Sequence, residues 1–233
     1  MTAREASKAL RKLGSPEAAE ASARFFKQSY SAHDKFLGVA APALRQVAKQ
    51  FRELPLAETE KLLQSPFNEE RALALVLLGE RYPRESDEVY ELYMRNLSRV
   101  NNWNLVDASA PYILGQHVLT RSRKVLDRLA RSKELWERRV AVVATQTLIR
   151  GGQFDDTLRL CAKLLEDPHD LMHKACGWML REVGKRDEAV LEGFLKAHAA
   201  RMPRTMLRYA IERFPPERRK AWLTGLAYAP ARR

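Results

Sequence analysis

The chain has 233 residues, enough for one large domain or one array of repeats, and its Ala, Leu, Arg, Lys and Glu content with only 10 glycines is helix-rich usage. Lys+Arg 41 against Asp+Glu 29 leave a net charge of +12, a field that draws polyanions such as nucleic acid or anionic lipid. No apolar run reaches transmembrane length, Met1 to Leu13 has no apolar signal core, and two cysteines without metal-type spacing suit a reducing compartment, so a soluble cytoplasmic protein that needs no membrane is expected.

Apolar residues recur at three- and four-residue spacing in almost every window, and two-residue alternation is absent. The pattern predicts helices over 3–13, 16–29, 41–52, 56–64, 68–81, 85–97, 102–118, 122–131, 134–150, 154–165, 169–185, 188–199, 202–213 and 216–225. Ser15-Pro16-Glu17 offers a cap, a proline at the first helical position and an early acid. Asn68-Glu69-Glu70 and Asp155-Asp156 put acceptors or negative charge at helix starts. Gly14, Gly115 and Gly151-Gly152 sit where helices should stop, and Pro55, Pro66, Pro83 and Pro203 punctuate the joins.

A weak repeat runs through these helices. Segments starting at Arg71, Trp103, Arg139, Lys174 and Arg204 follow one another at about 30–36 residues, each with a basic or aromatic head and an Ala-rich apolar continuation. That period predicts an all-α, right-handed solenoid of HEAT-like helix pairs, about six or seven, forming one domain over 1–233. The second helix of each pair would line a concave, positive trough. From Arg131 on, 21 Lys/Arg stand against 13 Asp/Glu, which places +8 of the net +12 in the second half.

Trp103 and Asp107 are spaced i, i+4, one turn apart on one helix face. An ordinary core tryptophan and surface aspartate have the same spacing. Asp107 nevertheless lies among Leu105, Val106, Ala108 and Ala110, poor company for a solvated acid. Pro111 follows four residues on; it cannot donate to the carbonyl of residue 107, and its ring crowds that carbonyl, so the helix should kink or loosen there. Trp178 has Lys174 at i−4 and Arg181 at i+3, a face that reads either as a cation-rich contact surface or as a tryptophan packed under long cationic stems. Gly177 beside it lowers helix stability and suits close approach of a backbone or a ligand. Arg138 and Arg139 head their repeat, and Arg204 and Arg208 repeat the idea at i, i+4.

Other chemistries find little support. His169 and His173 stand at i, i+4 without the acid of a zinc-protease motif, and His33, His117 and His198 are scattered. There is no Gly-rich phosphate loop, no nucleophile elbow and no recognisable nucleophilic cysteine, so neither metal nor other cofactor is expected.

Asn101-Asn102-Trp103-Asn104-Leu105-Val106-Asp107-Ala108-Ser109-Ala110-Pro111 resembles the AlkD-type DNA alkylation repair glycosylases, built from HEAT-like repeats. Asp34-Lys35-Phe36-Leu37-Gly38-Val39, Trp136-Glu137-Arg138-Arg139-Val140-Ala141 and Lys174-Ala175-Cys176-Gly177-Trp178-Met179-Leu180-Arg181-Glu182 extend the resemblance in order over most of the chain. The resemblance implies excision of cationic N3- and N7-alkylated purines from double-stranded DNA; the protein is expected to be a monomer. It puts the functional tryptophans at Trp103 and Trp178, the aspartate at Asp107, and the arginine at Arg139 or the adjacent Arg138. Position 104 is Asn where members often have Asp, and Phe25, Phe26 and Tyr30 occupy the region of a tyrosine that some members use.

In such a reaction the departing purine is already cationic, so a fixed carboxylate near the sugar contributes most by stabilising the oxocarbenium ion. Asp107 would do this, Trp103 and Trp178 would pack against the cation, and Arg139 would hold a phosphate. Lys174, Arg181, Arg204 and Arg208 would add salt-sensitive affinity for the DNA backbone. No lysine adjoins Asp107 in sequence, so a monofunctional enzyme without lyase activity is expected. The resemblance also implies that the lesion stays largely stacked, a point the residues leave open. A non-catalytic binder of damaged or distorted DNA, and a protein-binding HEAT scaffold, are the rival readings.

Overall fold

The computed structural model describes residues 1–26, 30 and 34–227. Among them the regular structure is helical, and extended chain pairs in one isolated bridge, between Lys35 and Phe67. The chain divides into two compact units, Met1–His117 and Val118–Arg233.

The first unit contains α1 (Ala3–Arg11), α2 (Pro16–Phe25), α3 (Ala41–Gln50), α4 (Leu56–Leu63), α5 (Asn68–Arg81), α6 (Ser86–Arg95) and α7 (Trp103–Ser109). A short α8 (Gln116–Thr120) runs across the chain boundary between the units. α1 begins with a reciprocal capping box of Thr2 and Glu5, and α2 with the predicted Ser15 cap, whose hydroxyl accepts from Ala18 N–H at 3.1 Å. α5 packs against α3 and α7, with α4 and α6 also against it. Its sequence explains this central place: Ala72, Leu73, Ala74, Leu75, Leu77 and Leu78 are buried, an apolar run wide enough to pack against neighbours on several sides.

The second unit contains α9 (Lys124–Ala130), α10 (Leu135–Arg150), α11 (Asp155–Lys163), α12 (Asp170–Gly184), α13 (Glu188–His198), α14 (Arg204–Ala210) and α15 (Pro216–Thr224). α12 packs between α10 and α14, while α9 and α11 pack on α10, α11 and α13 on α12, and α15 on α14. α10 buries Val140, Ala141, Val142, Val143, Ala144, Leu148 and Ile149; each large side chain there contributes roughly 1.5–3 kcal/mol.

In both units a helix therefore contacts its neighbour in sequence and the helix one pair along, the contact pattern of stacked repeats. The polar contacts keep the same period. Arg95 reaches back 35 residues to Glu60, Asn104 reaches back 36 to Asn68, Arg138 reaches 29 forward to Asp167 and Arg139 reaches 32 forward to Leu171. α5, α7, α10, α12 and α14 carry the five repeating segments read from the sequence.

Several boundaries differ from the periodicity. The single helix predicted over 102–118 is three pieces, because Pro111 removes one backbone donor: α7 ends at Ser109, Pro111–Gly115 winds as a π-turn, and Gly115 N–H donates to Ala110 O at 2.8 Å. Gly115 thus lies inside a continuing turn rather than at a helix stop. Asn68 does not cap α5; Phe67 holds that position without a side-chain bond, and Asn68, Glu69 and Glu70 turn inward and are buried. The 202–213 helix shortens to α14 at both ends: Pro203 stands before its first turn, and Ile211 closes its last. α2 ends at Phe25, and 27–29, the end of the helix predicted over 16–29, lie outside the described residues, as does His33.

Candidate active site

The Asp34 side chain is 2 % exposed, at the start of an extended segment pinned on both sides. Lys35 N–H donates to Pro66 O at 3.0 Å, and Asn68 N–H donates to Lys35 O at 2.8 Å. The Glu69 carboxylate then accepts from the N–H groups of Leu37, Gly38 and Val39 at 3.0, 2.9 and 3.3 Å. Gly38 is required here: its φ is +75°, and a Cβ would stand 2.4 Å from Ala19 N and 2.5 Å from Ser15 O.

The Asp34 carboxylate pairs with Arg71, itself 2 % exposed, and accepts from Asn68 Nδ2 at 2.9 Å and Asn102 Nδ2 at 2.8 Å. Asn102 caps α7, its Oδ1 accepting from Trp103 N–H at 2.8 Å. Asn68 Oδ1 accepts from Asn104 Nδ2 at 2.7 Å. Arg71 Nη1 donates to Ser65 O at 2.8 Å, tying the set to the turn before α5. Burial pushes the Arg71 guanidinium down from its ordinary value, and the Asp34 carboxylate opposes this. The expectation that the basic repeat heads line a positive trough thus fails at Arg71, an interior residue paired with a buried carboxylate.

Above this network lies a cavity of about 670 Å³. α3 contributes Ala41, Leu44 and Arg45; α5 contributes Ala72, Val76, Gly79 and Glu80; α7 and the π-turn contribute Trp103, Asn104, Asp107, Ala108 and Tyr112. Trp103 and Asp107 therefore wall the same cavity, one helical turn apart. Glu69, Glu80 and Asp107 set three carboxylates against the single guanidinium of Arg45, an acidic lining in a basic protein. Such a lining favours a cation or a transition state that becomes one.

One face of Trp103 is already occupied. The Phe26 ring stacks on it at 5.1 Å and 22°, Phe36 stacks on Phe26 at 5.0 Å and 16°, and Phe25 meets Trp103 edge-on at 6.0 Å. Phe25 itself is 68 % exposed. These aromatics hold the indole against rotation, a role the sequence left open. Its one available signal was the Phe25-Phe26 pair followed by Phe36.

The remaining predicted residues belong to the second unit. Arg138 donates to Asp167 Oδ2 at 2.6 Å and to the carbonyls of Ser132 and Lys133 at 3.0 and 2.8 Å. Arg139 is 5 % exposed and donates through Nη1 to Leu171 O at 2.7 Å. Lys174 pairs with Asp170 at 2.7 Å, and Arg181 pairs with Glu212 and, at 3.5 Å, with Glu182. Arg204 and Arg208 are exposed, Arg204 donating to Leu223 O at 2.6 Å. Trp178 is half-buried. Gly177 allows the approach of a backbone: a Cβ there would stand 2.5 Å from Met206 O and 2.5 Å from Tyr209 Cβ on α14.

His169 serves as the cap of α12, its Nδ1 accepting from Leu171 N–H at 3.2 Å, and burial pushes its imidazole below the ordinary value. Among the described residues no cluster of three or more His, Cys, Asp or Glu side chains is placed to hold a metal ion, and no helix is long and apolar enough to cross a membrane. Cys161 and Cys176 are free and buried.

A family model described as DNA alkylation repair enzyme matches residues 6–214. Among solved structures, a predicted DNA alkylation repair enzyme from Enterococcus faecalis superposes with a TM-score of 0.75 at 20 % identity, over 87 % of this chain and 97 % of that one. No curated protein sequence gives a significant match.

Proposed function

The chain belongs to the DNA alkylation repair enzyme family, and from that premise we propose that this DNA repair protein is a glycosylase that hydrolyses the N-glycosidic bond of cationic N3- and N7-alkylated purines in duplex DNA. One observation carries the proposal: Trp103 and Asp107 wall a single acidic cavity. The C1′–N bond breaks with its electron pair leaving on the purine, which the alkyl group has already made cationic. Positive charge passes to the sugar, where the Asp107 carboxylate stabilises it and orients the water that adds to C1′; the water proton leaves to solvent. The fixed charge needs no reorganisation during the reaction, which is why it is effective. Trp103, held by Phe26, packs against the developing cation for roughly 0.5–2 kcal/mol.

In the second unit Trp178 would lie against the DNA, Lys174, Arg181, Arg204 and Arg208 would meet phosphates, and Arg139 would exchange an internal partner for a phosphate oxygen. Both units then act on DNA as one functional domain, without lyase chemistry. Measuring single-turnover release of 7-methylguanine from a defined duplex tests this. Asp107→Asn keeps the shape and removes the charge; excision should slow by roughly 10²–10³-fold, while affinity for undamaged duplex holds or rises. A folded Asp107→Asn protein that excises at the wild-type rate refutes the mechanism, and DNA binding without any release of base favours the non-catalytic reading.

A further inference from the structure

We infer that Asp34 is a positioning residue for the cavity: its buried carboxylate orients the amides of Asn68 and Asn102, and these clamp the first turn of α7, from which Trp103 and Asp107 face the substrate. The inference rests on the excision reading of that cavity.

The geometry explains why a carboxylate stands there. An amide side chain can be turned over, exchanging its donor and acceptor ends. Turning Asn102 over would point Nδ2 at Trp103 N–H, donor against donor, and abolish the cap of α7. An ionised carboxylate only accepts, so Asp34 draws the Nδ2 ends of both Asn68 and Asn102 toward itself at 2.9 and 2.8 Å. Their oxygens are then left for Asn104 Nδ2 at 2.7 Å and Trp103 N–H at 2.8 Å. A single charge thus fixes the backbone before Trp103 and the side chain after it.

Stability alone does not account for this arrangement. A buried ion pair is often matched or bettered by apolar residues of the same volume. Here the pair also leaves Arg71 Nε without a hydrogen-bond partner among the described residues, a further cost. What an apolar replacement cannot supply is the orientation of two amides. α7 is only 7 residues long and runs into the π-turn at Pro111, so its own hydrogen bonds hold it weakly. The direction of Trp103 and Asp107 is set from the Asp34 side.

The test separates capping from orientation. Asn102→Ser keeps an N-cap oxygen for α7 but is too short to reach Asp34; Asn102→Ala removes both functions; Asp34→Asn keeps the volume and removes the charge. Single-turnover excision of 7-methylguanine is measured with enzyme in excess, below the unfolding temperature of each variant. In parallel, the Trp103 indole N–H resonance is followed by NMR, assigned through its loss in Trp103→Phe. The expectation is that Asn102→Ser slows excision by roughly 10–100-fold, in line with the cost of misplacing a reacting group by about 1 Å. The Trp103 resonance should shift or split, while affinity for undamaged duplex stays within about twofold. Asp34→Asn should behave alike wherever it folds.

If Asn102→Ser excises at the wild-type rate and its Trp103 resonance is unmoved, capping suffices and the positioning role is overturned. If instead the wild type releases no base, or Asp107→Asn excises normally, it is the excision reading that fails. The resonance then decides alone: moved in Asn102→Ser, it upholds the clamp on α7; unmoved, it overturns it.

Discussion

Gly177→Ala is a demanding test of the helix packing around Trp178. The new Cβ would meet Met206 O and Tyr209 Cβ at 2.5 Å, where ordinary contact begins near 3.4 Å, so α14 must withdraw from α12 by about 1 Å. Met206 O is backbone and cannot rotate aside. Overpacking of this kind costs roughly 1–3 kcal/mol. Against it, alanine gains about 0.8–1 kcal/mol of helix propensity over glycine. Gly193 is the internal control. It also lies within a helix, α13, but nothing stands within 4 Å of its Cβ position, so Gly193→Ala should show the propensity gain alone. Since the gain is common to both, the difference between the two variants isolates the interface at about 1–3 kcal/mol, which for a chain of this size is roughly 2–12 °C in Tm. Thermal unfolding followed by circular dichroism measures it, with Gly193→Ala at or above wild type and Gly177→Ala well below Gly193→Ala. Equal midpoints would refute the close approach and return Gly177 to the alternative of making room for a ligand.

Replacing Arg204 and Arg208 together with Ala should weaken binding to all duplex sequences alike and flatten the plot of log K against log salt by about 1.8, at 0.9 per phosphate lost; an unchanged slope means that neither touches phosphate. Glu60 accepts from Arg95 Nε and Nη2 at 2.9 and 2.8 Å and from Asn96 Nδ2 at 2.7 Å, and these donors, Arg95 first, hold its pKa down to about 2 from an ordinary 4.5. Its contribution to stability is therefore complete above pH 4.5 and lost as pH falls toward 2. Glu60→Gln should be less stable than wild type in urea titrations near neutral pH, and the gap should close through that acid window; a gap independent of pH would show that the charge is not responsible.

Much of the architecture was legible because helical periodicity is a local property. Three- and four-residue spacing marked every helix that carries a repeating segment, and the period of about 30–36 residues anticipated both the helix stacking and the reach of polar contacts such as Asn104 to Asn68. Pro111 was readable for the same reason: a missing N–H perturbs its own turn whatever surrounds it, and the π-turn follows. The spacing of Trp103 and Asp107 put them on one helix face, but that this face walls a cavity was decided by α3 and α5 packing opposite it. What tertiary structure decided was the fate of charge. Arg71, Arg138 and Arg139 look in sequence like the solvated heads of their repeats, yet Arg71 is buried against Asp34 and Arg139 against the Leu171 carbonyl. Local pattern gives a cation its position along a helix, but whether water or a carboxylate faces it depends on residues 29 to 37 positions away. The Asp34 network is such a case, since its members, Asp34, Asn68, Arg71, Asn102 and Asn104, meet only when two repeats stack. The Phe26 ring that holds Trp103 comes from farther still along the chain, and no periodicity could have joined them.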